Sequence, residues 1–396
     1  MKKIYIDGKH NQNKIAILKN KKLIEYHIEE KKNEDLIGNI YRARVSNVLK
    51  GMEAAFVDIG EGKNAYLPLD DAIKNMDSIK SGDEIMVQII KEPYDKKGAK
   101  ITTDLTIPGR YLVLTPFSRS INISRRIKKE SEVNRLKSIG KDIRIDNMGM
   151  IMRTLSDSID KESIAEEYEY LLEIFTKVNA QRNFLPTPKL IYKDLGFIYR
   201  RIRDILHIDD YKIIVNNKKI YGQILQWAEY LDLPVDQIIL KEEFSIEYNP
   251  IIQRGIEKAL NKKVALQSGG YIVIDEMEAL TAIDVNTGKY TGDISYEKTI
   301  FKTNMEATKE IARQLKLRNI GGIIIIDFID MKNKEDISKV LSSLKYYFKE
   351  DKNQPNIYGM TKLGLAEITR KRTGSSLYSQ ITSKCSKCQG RGRIKI

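Results

Sequence analysis

The chain has 396 residues, more than one ordinary hydrophobic core accommodates, which indicates roughly two to four domains. Its 68 Lys and Arg against 54 Asp and Glu give a net charge of +14, which favours nucleic acid or an anionic membrane surface as a partner. No apolar run approaches the ~20 residues of a membrane span, the N-terminus lacks a signal-peptide core, and two cysteines exclude a disulfide scaffold. We therefore expect a soluble, cytoplasmic protein that binds nucleic acid.

Short strands dominate the N-terminal part of the sequence. Residues 1–36 alternate in polarity as strands do, at Ile4–Ile6, Ile15–Leu18 and Leu23–Ile28. These strands are too few for a domain and need partners from elsewhere in the chain. Further short strands are predicted in residues 37–103, at Gly38–Val45, Ala54–Ile59, Asn64–Pro68 and Glu84–Lys91.

Within this second region, Gly51–Gly60 has the sequence Gly-Met-Glu-Ala-Ala-Phe-Val-Asp-Ile-Gly, and Ala-Tyr-Leu-Pro follows at Ala65–Pro68. Both segments resemble an OB-fold RNA-binding barrel of the kind found in a ribosomal small-subunit protein. The resemblance places Phe56 and Tyr66 where such barrels stack bases on aromatic rings, worth about 1–3 kcal/mol per base. The phosphate contacts expected beside them are Lys91, Lys96 and Lys97. The alternative for Phe56 is a position in the barrel core.

Residues 104 to about 190 mix strand and helix patterns and form a predicted α/β insert. Gly109–Thr115 and Gly149–Ser156 are predicted strands, and Ser163–Ala180 is a predicted amphipathic helix. Pro186 and Pro188 mark the end of the insert, because proline interrupts periodic structure.

Farther along the chain, two apolar runs lead into the sequence Asp-Val-Asn-Thr-Gly. The runs Tyr271–Ile274 and Ala279–Ile283 are predicted strands joined by an acidic turn. Because successive strand residues point to opposite faces, Asp284 and Asn286 share one face. The alternative is a strand followed by an ordinary turn, since Asn and Gly favour turns.

A second carboxylate, Asp327, directly follows four isoleucines. A helical pattern between Met305 and Leu315 separates it from Asp284, and two strands joined by a helix can bring both carboxylates to one edge of a sheet. A charge at the boundary of a core needs a partner. Carboxylate and amide oxygens suit Mg²⁺ rather than Zn²⁺, so the pair predicts a magnesium site.

Three segments of this region closely resemble the catalytic domain of the ribonuclease E/G family: Glu278–Gly288, Gln314–Gly322 and Ile325–Asp330. Because the chain ends soon after its cysteines, the resemblance is to the short, ribonuclease G-like members. It implies an α/β multidomain fold, in which an RNase H-like domain in two parts, 1–36 and 194–262, is interrupted by an OB-fold barrel at 37–103 and an α/β 5′-sensor domain at 104–193. A DNase I-like catalytic domain at 263–380 and a zinc-link at 381–396 would follow.

The resemblance extends to a pocket for an RNA 5′ end, through Ile123–Ile127 and Met152–Thr154. The residues that it implies for this pocket are Arg153, Thr154, Arg125, Val113 and the backbone of Gly109. A guanidinium can donate two parallel hydrogen bonds to a terminal phosphate, and a neighbouring hydroxyl can donate another. A monophosphate would fit, and a bulkier triphosphate would be excluded. Without the resemblance, Arg153 would be interpreted as a solvated strand residue.

RNA can be cleaved by two chemically distinct routes. Attack by the adjacent 2′-hydroxyl uses paired acid and base groups, usually histidines, yet His10, His27 and His207 lie away from these motifs. Metal-assisted hydrolysis instead leaves 5′-phosphate and 3′-hydroxyl ends. We therefore predict that Asp284 and Asp327 bind Mg²⁺ and that Asn286 donates to the scissile phosphate. One carboxylate pair gives no reason to require a second Mg²⁺.

These features predict an endoribonuclease that cleaves single-stranded RNA, favours 5′-monophosphorylated substrates, and acts in ribosomal RNA maturation or messenger turnover. The basic cluster Arg370-Lys-Arg372 is interpreted either as a contact to the scissile strand or as a solvated charge run. The positive charge and the OB-fold would also fit a non-catalytic RNA-binding or ribosome-assembly factor. The carboxylates Asp284 and Asp327 argue against this alternative. A DNA nuclease is a further alternative, because the catalytic fold alone gives it some support.

The only cysteines, Cys385 and Cys388, form a Cys-x-x-Cys turn followed by glycines. This is half of a structural zinc site, which needs four ligands, and no further cysteine or histidine lies nearby in the sequence. The interpretations are a redox pair, two idle surface thiols, or a zinc ion shared between two chains. The family resemblance implies the last of these, a zinc ion that joins two chains into a homodimer. In larger members of the family, two such dimers associate. One departure from the family is Ser386, where proline is usual.

Overall fold

The computed structural model describes residues 1–9, 12–29, 36–71, 79–93, 98–183, 186–205, 211–231, 233–288, 296–349, 351–353, 355–388, 390 and 392. The chain divides into two compact units, the first formed by residues 1–29, 209–226 and 233–396 and the second by residues 30–208 and 227–232. None of the described helices is long and apolar enough to cross a membrane.

The strands of the described residues are β1 Lys2–Asp7, β2 Lys14–Lys19, β3 Lys22–Ile28, β4 Ile40–Leu49, β5 Ala54–Asp58, β6 Ala65–Pro68, β7 Glu84–Lys91, β8 Lys100–Thr102, β9 Ile107–Pro108, β10 Leu112–Thr115, β11 Ile121–Ile123, β12 Gly149–Met152, β13 Lys189–Tyr192, β14 Tyr211–Val215, β15 Ile238–Leu240, β16 Lys263–Ala265, β17 Tyr271–Glu276, β18 Leu280–Asn286, β19 Gly322–Asp327, β20 Asn356–Met360 and β21 Leu365–Arg370. The α-helices are α1 Glu130–Ile143, α2 Lys161–Ala180, α3 Gly196–Ile205, α4 Lys218–Leu231, α5 Pro250–Leu260, α6 Tyr296–Leu317, α7 Lys334–Phe348 and α8 Leu377–Ile381.

The first unit contains a five-stranded sheet in the order β15-β14-β1-β2-β3. β1, β2 and β3 form an antiparallel meander, and β14 lies parallel to β1 on its other side. The β2–β3 turn is made by Asn20 and Lys21, whose φ angles of 50° and 60° have the left-handed conformation of tight hairpin turns. The prediction that the first strands need partners from elsewhere in the chain is confirmed.

The second sheet of this unit has six strands in the order β16-β17-β18-β19-β21-β20. β18 and β19 are parallel and joined by α6, whereas the other neighbouring pairs are antiparallel. One face of the sheet packs with α6 and α7 in a core that includes Ile283, Ile326 and Leu344. Because strand residues alternate between faces, Asp284 and Asp327 lie on the other face.

Helix α6 also contacts the first sheet. Arg313 Nη1 donates to the Leu23 carbonyl oxygen at 2.7 Å, and Lys316 Nζ lies 2.7 Å from Glu25 Oε1. Burial would raise the pKa of Glu25, but Lys316 and a hydrogen bond from His27 hold that pKa well below its usual value. The helix that connects β18 to β19 is therefore bonded to β3 as well.

The second unit contains a closed five-stranded barrel in the order β4-β5-β6-β8-β7, which the pairing of β7 with β4 closes. Alternate residues of its strands fill the interior, among them Val45, Val57, Leu67 and Ile101. β13 pairs with the beginning of β4. A mixed α/β fold with an OB-like barrel is confirmed.

The remainder of the second unit is built on a four-stranded sheet in the order β11-β12-β10-β9, which packs with α1 and α2. Leu114 and Met150 of the sheet share a core with Leu136 of α1 and Tyr168 of α2. The side chain of Asp160 accepts a hydrogen bond of 2.7 Å from Ser163 N and so caps the start of α2.

Two predicted strands are shorter in the structure, and the first of them, Gly109–Thr115, begins only at Leu112. The predicted strand Gly149–Ser156 ends at Met152, and a short 3₁₀ turn covers Thr154–Ser156. The sequence after Met360 is the turn between β20 and β21, in which Thr361 Oγ1 accepts from the N–H groups of Leu363 and Leu365, both at 3.1 Å. Hydroxyl side chains bond the local backbone in such turns and compete with strand pairing.

Candidate functional site

Asp284 and Asp327 lie side by side at the carboxyl ends of two parallel strands. They are register partners in the β18–β19 pair. Because neighbouring strands lie about 4.8 Å apart, the two carboxylates are close enough to share one cation. Both residues are exposed, since each points away from the face that α6 covers. The structure brings the two carboxylates together as the strand–helix–strand pattern predicted.

Asn286 follows Asp284 on the same face of β18. Its Nδ2 donates a hydrogen bond of 2.6 Å to Asp284 Oδ2, which orients this carboxylate. An amide nitrogen carries two N–H groups, so the same Nδ2 can serve both Asp284 and a phosphate oxygen. The contact with Asp284 adds an orienting role that the sequence did not predict.

Negative charge accumulates at this edge of the sheet. Partial burial and the carboxylates of Asp284 and Asp330 raise the pKa of Asp327, and a bound cation would reverse that shift. Among the described residues, no group of three or more His, Cys, Asp or Glu side chains is placed to hold a metal. The pair of Asp284 and Asp327 fits Mg²⁺, because this ion usually binds one or two carboxylates and keeps several waters.

A buried asparagine of α6, absent from the sequence prediction, supports the same edge. Asn304 is 0% exposed, and its amide bonds the backbone of Ile329 twice. Nδ2 donates to Ile329 O at 2.8 Å, and Oδ1 accepts from Ile329 N at 3.1 Å. These bonds hold the backbone between Asp327 and Asp330. The available signal was a polar residue at helical spacing from the apolar positions of α6.

Comparison with known proteins relates the chain to one family. The model of the Ribonuclease E/G family matches residues 106–373. Ribonuclease G of Haemophilus influenzae is 38% identical over 404 residues, which cover 97% of this chain and 82% of that protein. The chain belongs to the ribonuclease E/G family. The resemblance found in the sequence is thereby confirmed.

Other members of the ribonuclease E/G family show the same relationship. Ribonuclease G of Escherichia coli K12 is 37% identical over 97% of this chain and 83% of that protein. Ribonuclease E of Synechocystis is 37% identical over 90% of this chain but only 55% of that longer protein. The chain therefore covers most of the length of these ribonucleases G and about half of this ribonuclease E.

In this ribonuclease E/G family member, Arg153 and Thr154 lie just beyond the end of β12. Arg153 Nη1 donates to Gly109 O at 2.6 Å, and Thr154 Oγ1 lies 2.9 Å from Ser124 Oγ. Gly109 follows β9 and Ser124 follows β11, so several strand ends meet here. The structure brings Gly109, Arg153 and Thr154 together, and it adds Ser124, a hydroxyl that the prediction omitted.

A glutamate of α2 holds the loop after Gly109. The carboxylate of Glu167 accepts from the N–H groups of Arg110, Tyr111 and Leu112, the last two at 2.7 and 2.9 Å. Burial raises the pKa of Glu167, although these hydrogen bonds oppose the shift. A Cβ atom on Gly109 would lie 2.5 Å from the carboxyl carbon of Glu167, so a larger residue here would displace this carboxylate from its hydrogen bonds to the loop.

The two other residues predicted for this pocket are Val113, which lies in the sheet, and Arg125, which is exposed. Val113 lies within β10, opposite Ile151 of β12, and is partly buried. Arg125 is exposed in the turn after Ser124, close in sequence to the Thr154 contact. Arg125 is therefore an exposed residue near the contact between Ser124 and Thr154, whereas Val113 is a residue of the sheet itself.

On the barrel, Phe56 and Tyr66 are register partners on β5 and β6. Their ring centroids lie 6.1 Å apart at an interplanar angle of 66°. Both residues are partly exposed, whereas Ala55 and Val57 on either side of Phe56 are fully buried, so Phe56 points away from the core. Lys91 is exposed at the end of β7, and Lys96 and Lys97 lie outside the described residues.

The basic cluster Arg370-Lys-Arg372 lies at the far end of the sheet from the carboxylates. Arg370 is the register partner of Gly322 at the start of β19, roughly 17 Å along the strand from Asp327. Its buried side chain donates to Asp351 from Nε at 2.7 Å and from Nη2 at 3.2 Å. Arg370 is therefore a partner in a buried ion pair, and both predicted interpretations of this arginine are wrong.

Cys385 and Cys388 share a turn that follows α8. The backbone N–H groups of Cys388 and Lys387 and the side chain of Cys388 hydrogen bond to Cys385 and lower the pKa of its thiol. Cys385 is exposed and both thiols are free of disulfides. Two thiols in one tight turn, one of them with a lowered pKa, fit one half of a tetrahedral zinc site.

Proposed function

We propose that this protein is a magnesium-dependent endoribonuclease that cleaves single-stranded RNA to 5′-phosphate and 3′-hydroxyl ends, in ribosomal RNA maturation or messenger turnover. The relatives named ribonuclease G and ribonuclease E support an endoribonuclease. The pairing of Asp284 with Asp327 is the observation that carries the metal-dependent reaction. These carboxylates would hold Mg²⁺, which when bound supplies Lewis acidity toward phosphate oxygens and lowers the pKa of a bound water.

The protein groups at this edge have distinct tasks. Asn286 orients Asp284 and offers its second N–H to the scissile phosphate. Asn304 holds the backbone that follows Asp327. Among the described residues, histidine occurs only at His27, which lies 3.1 Å from Glu25 in the first sheet. Acid–base cleavage by a described histidine therefore has no support at these carboxylates.

The test is incubation of the purified protein with single-stranded RNA and with single-stranded DNA of the same sequence, with Mg²⁺ and with EDTA. We expect internal cleavage of RNA only, dependent on Mg²⁺, with 5′-phosphate and 3′-hydroxyl product ends. Cleavage in EDTA, or cyclic phosphate ends, would overturn the proposed chemistry. Binding of RNA without cleavage would favour the non-catalytic alternative, and equal cleavage of DNA would favour the DNA nuclease.

We also propose that the pocket formed by Arg153, Thr154 and Gly109 binds a 5′-monophosphate. Arg153 Nη1 already donates to Gly109 O, which fixes the position of a guanidinium that carries five N–H donors. The adjacent hydroxyls of Thr154 and Ser124 supply further donors. A hydrogen bond to a charged group contributes about 1.5–3 kcal/mol, so loss of the Arg153 contact should lower the preference for a phosphorylated end by about tenfold or more.

Replacement of Arg153 by alanine should slow cleavage of 5′-monophosphorylated RNA but leave cleavage of the same RNA with a 5′-hydroxyl unchanged. The measurement is the ratio of kcat/KM for the two RNAs. Arg119→Ala is the matched control, because Arg119 is exposed beside the opposite end of β11. A wild-type ratio near one, or a ratio that Arg153→Ala does not alter, would refute the pocket.

We further propose that Cys385 and Cys388 bind one Zn²⁺ together with the same two cysteines of a second chain, which makes the protein a homodimer. The support is the turn around Cys385, in which hydrogen bonds from Lys387 and Cys388 keep two thiols close together, as one half of a four-thiolate zinc site requires.

A further inference from the structure

One row of outward-facing residues crosses all five strands of the barrel. Phe56 of β5 pairs in register with Asn47 of β4 on one side and with Tyr66 of β6 on the other. Tyr66 pairs with Lys100 of β8, and Lys100 pairs with Lys91 of β7. The row therefore runs in the order Asn47, Phe56, Tyr66, Lys100, Lys91, with one residue from each strand.

The central members of this row face outward because their neighbours fill the barrel. Ala99 and Ile101 on either side of Lys100 are 2% and 0% exposed, so the Lys100 side chain points to the opposite side of the strand. The backbone N–H of Tyr66 donates to Ala99 O at 2.8 Å, which holds β8 beside β6 at this level.

Both ends of the row lie at irregularities in the strand pairing. The register shifts between Ile89 and Lys91 in the β7–β8 pair, and between Val45 and Asn47 in the β4–β5 pair. Strict alternation from buried Ile89 would turn Lys91 toward the core, and the bulge turns it outward instead. Lys91 thereby lies beside Lys100.

We propose that Lys100 is a phosphate-binding residue and that single-stranded RNA crosses the barrel along this row. Bases stack on Phe56 and Tyr66, and the backbone continues over Lys100 to Lys91. With neighbouring strands about 4.8 Å apart, the row spans roughly 19 Å, a length suited to a short stretch of extended nucleic acid. This inference depends on the proposed binding of single-stranded RNA. It adds the path of the RNA across the barrel and Lys100 as a further contact.

The test is the salt dependence of RNA binding by the full chain in EDTA, which prevents cleavage. For single strands, the slope of log K against log salt concentration changes by about 0.7 per neutralised phosphate. Lys100→Gln should therefore reduce the magnitude of this slope by about 0.7 and raise Kd several-fold for RNAs of different sequence, whereas Lys100→Arg should keep the wild-type slope. Lys80→Gln is the matched control, because Lys80 is an exposed lysine before the opposite end of β7.

The outcomes separate this inference from the proposed function. If Phe56→Ala and Tyr66→Ala weaken binding but Lys100→Gln leaves the slope unchanged, the contact at Lys100 is refuted while RNA binding by the barrel stands. If the wild-type protein does not bind single-stranded RNA in a salt-dependent manner, the proposed RNA function fails first. Equal melting temperatures of Lys100→Gln and wild type establish that the change in slope is electrostatic.

Discussion

Replacement of Asp327 by asparagine should abolish RNA cleavage and leave RNA binding intact. The substitution keeps the shape of the side chain and removes the negative charge that would hold Mg²⁺ beside Asp284. If the metal contributes about 4 kcal/mol or more to the transition state, kcat falls by at least about 10³-fold. The measurements are single-turnover cleavage at saturating Mg²⁺ and Kd for RNA in EDTA. Asp284→Asn should have the same effect.

The matched control is Glu367→Gln on β21. Glu367 is exposed on the same face of the sheet and is the register partner of Ile325, two residues before Asp327. Its replacement removes one negative charge close to the site without touching the proposed ligands, so cleavage should remain within about threefold of wild type, a difference of less than 1 kcal/mol. Full activity of Asp327→Asn, or an equal loss in Glu367→Gln, would eliminate the proposed metal site.

Replacement of both Cys385 and Cys388 by serine should remove bound zinc and convert a dimer into monomers. Wild-type protein should contain half a zinc ion per chain, because four thiolates from two chains complete one tetrahedral site. Structural zinc contributes about 10–16 kcal/mol of apparent binding free energy in small domains, so its loss should weaken association strongly. Metal analysis measures the stoichiometry, and sedimentation or light scattering measures the oligomeric state.

Ser383→Ala serves as the control for the zinc-link, since Ser383 is an exposed neighbour in the same segment. It should retain both zinc and the dimer. One full zinc per chain would indicate a site completed within each chain. A double cysteine variant that remains equally dimeric would place the association elsewhere.

The carboxylate pair was predictable because it depends only on local patterns. Alternation along a strand fixes the face of Asp284, and a helix between two buried runs produces parallel neighbours with their carboxyl ends together. The outward direction of Tyr66 follows from the same alternation, since Ala65 and Leu67 on either side of it are buried.

Other features could not be predicted, since they depend on contacts between distant residues or on single irregularities. The Arg370 side chain is typical of a surface cluster until Asp351 is seen to pair with it in the core. Lys91 faces outward only because of a bulge, which alternation does not predict. The 3₁₀ turn at Thr154 is a similar irregularity. Helical spacing marks Asn304 as a polar residue on the buried face of α6, but it does not identify Ile329 as its partner.

The position of β14 beside β1 determines how the chain assembles during its synthesis. β1 and its parallel neighbour are separated by the whole of residues 30–208, which belong to the other compact unit. At about 5–20 residues per second, roughly 10–40 s pass between translation of β1 and of β14. During this interval the outer edge of β1 is exposed on the nascent chain, while the intervening unit has emerged and can complete its own barrel. The sheet that contains the N-terminal meander therefore starts before the barrel in the chain and is completed only after the barrel has been translated.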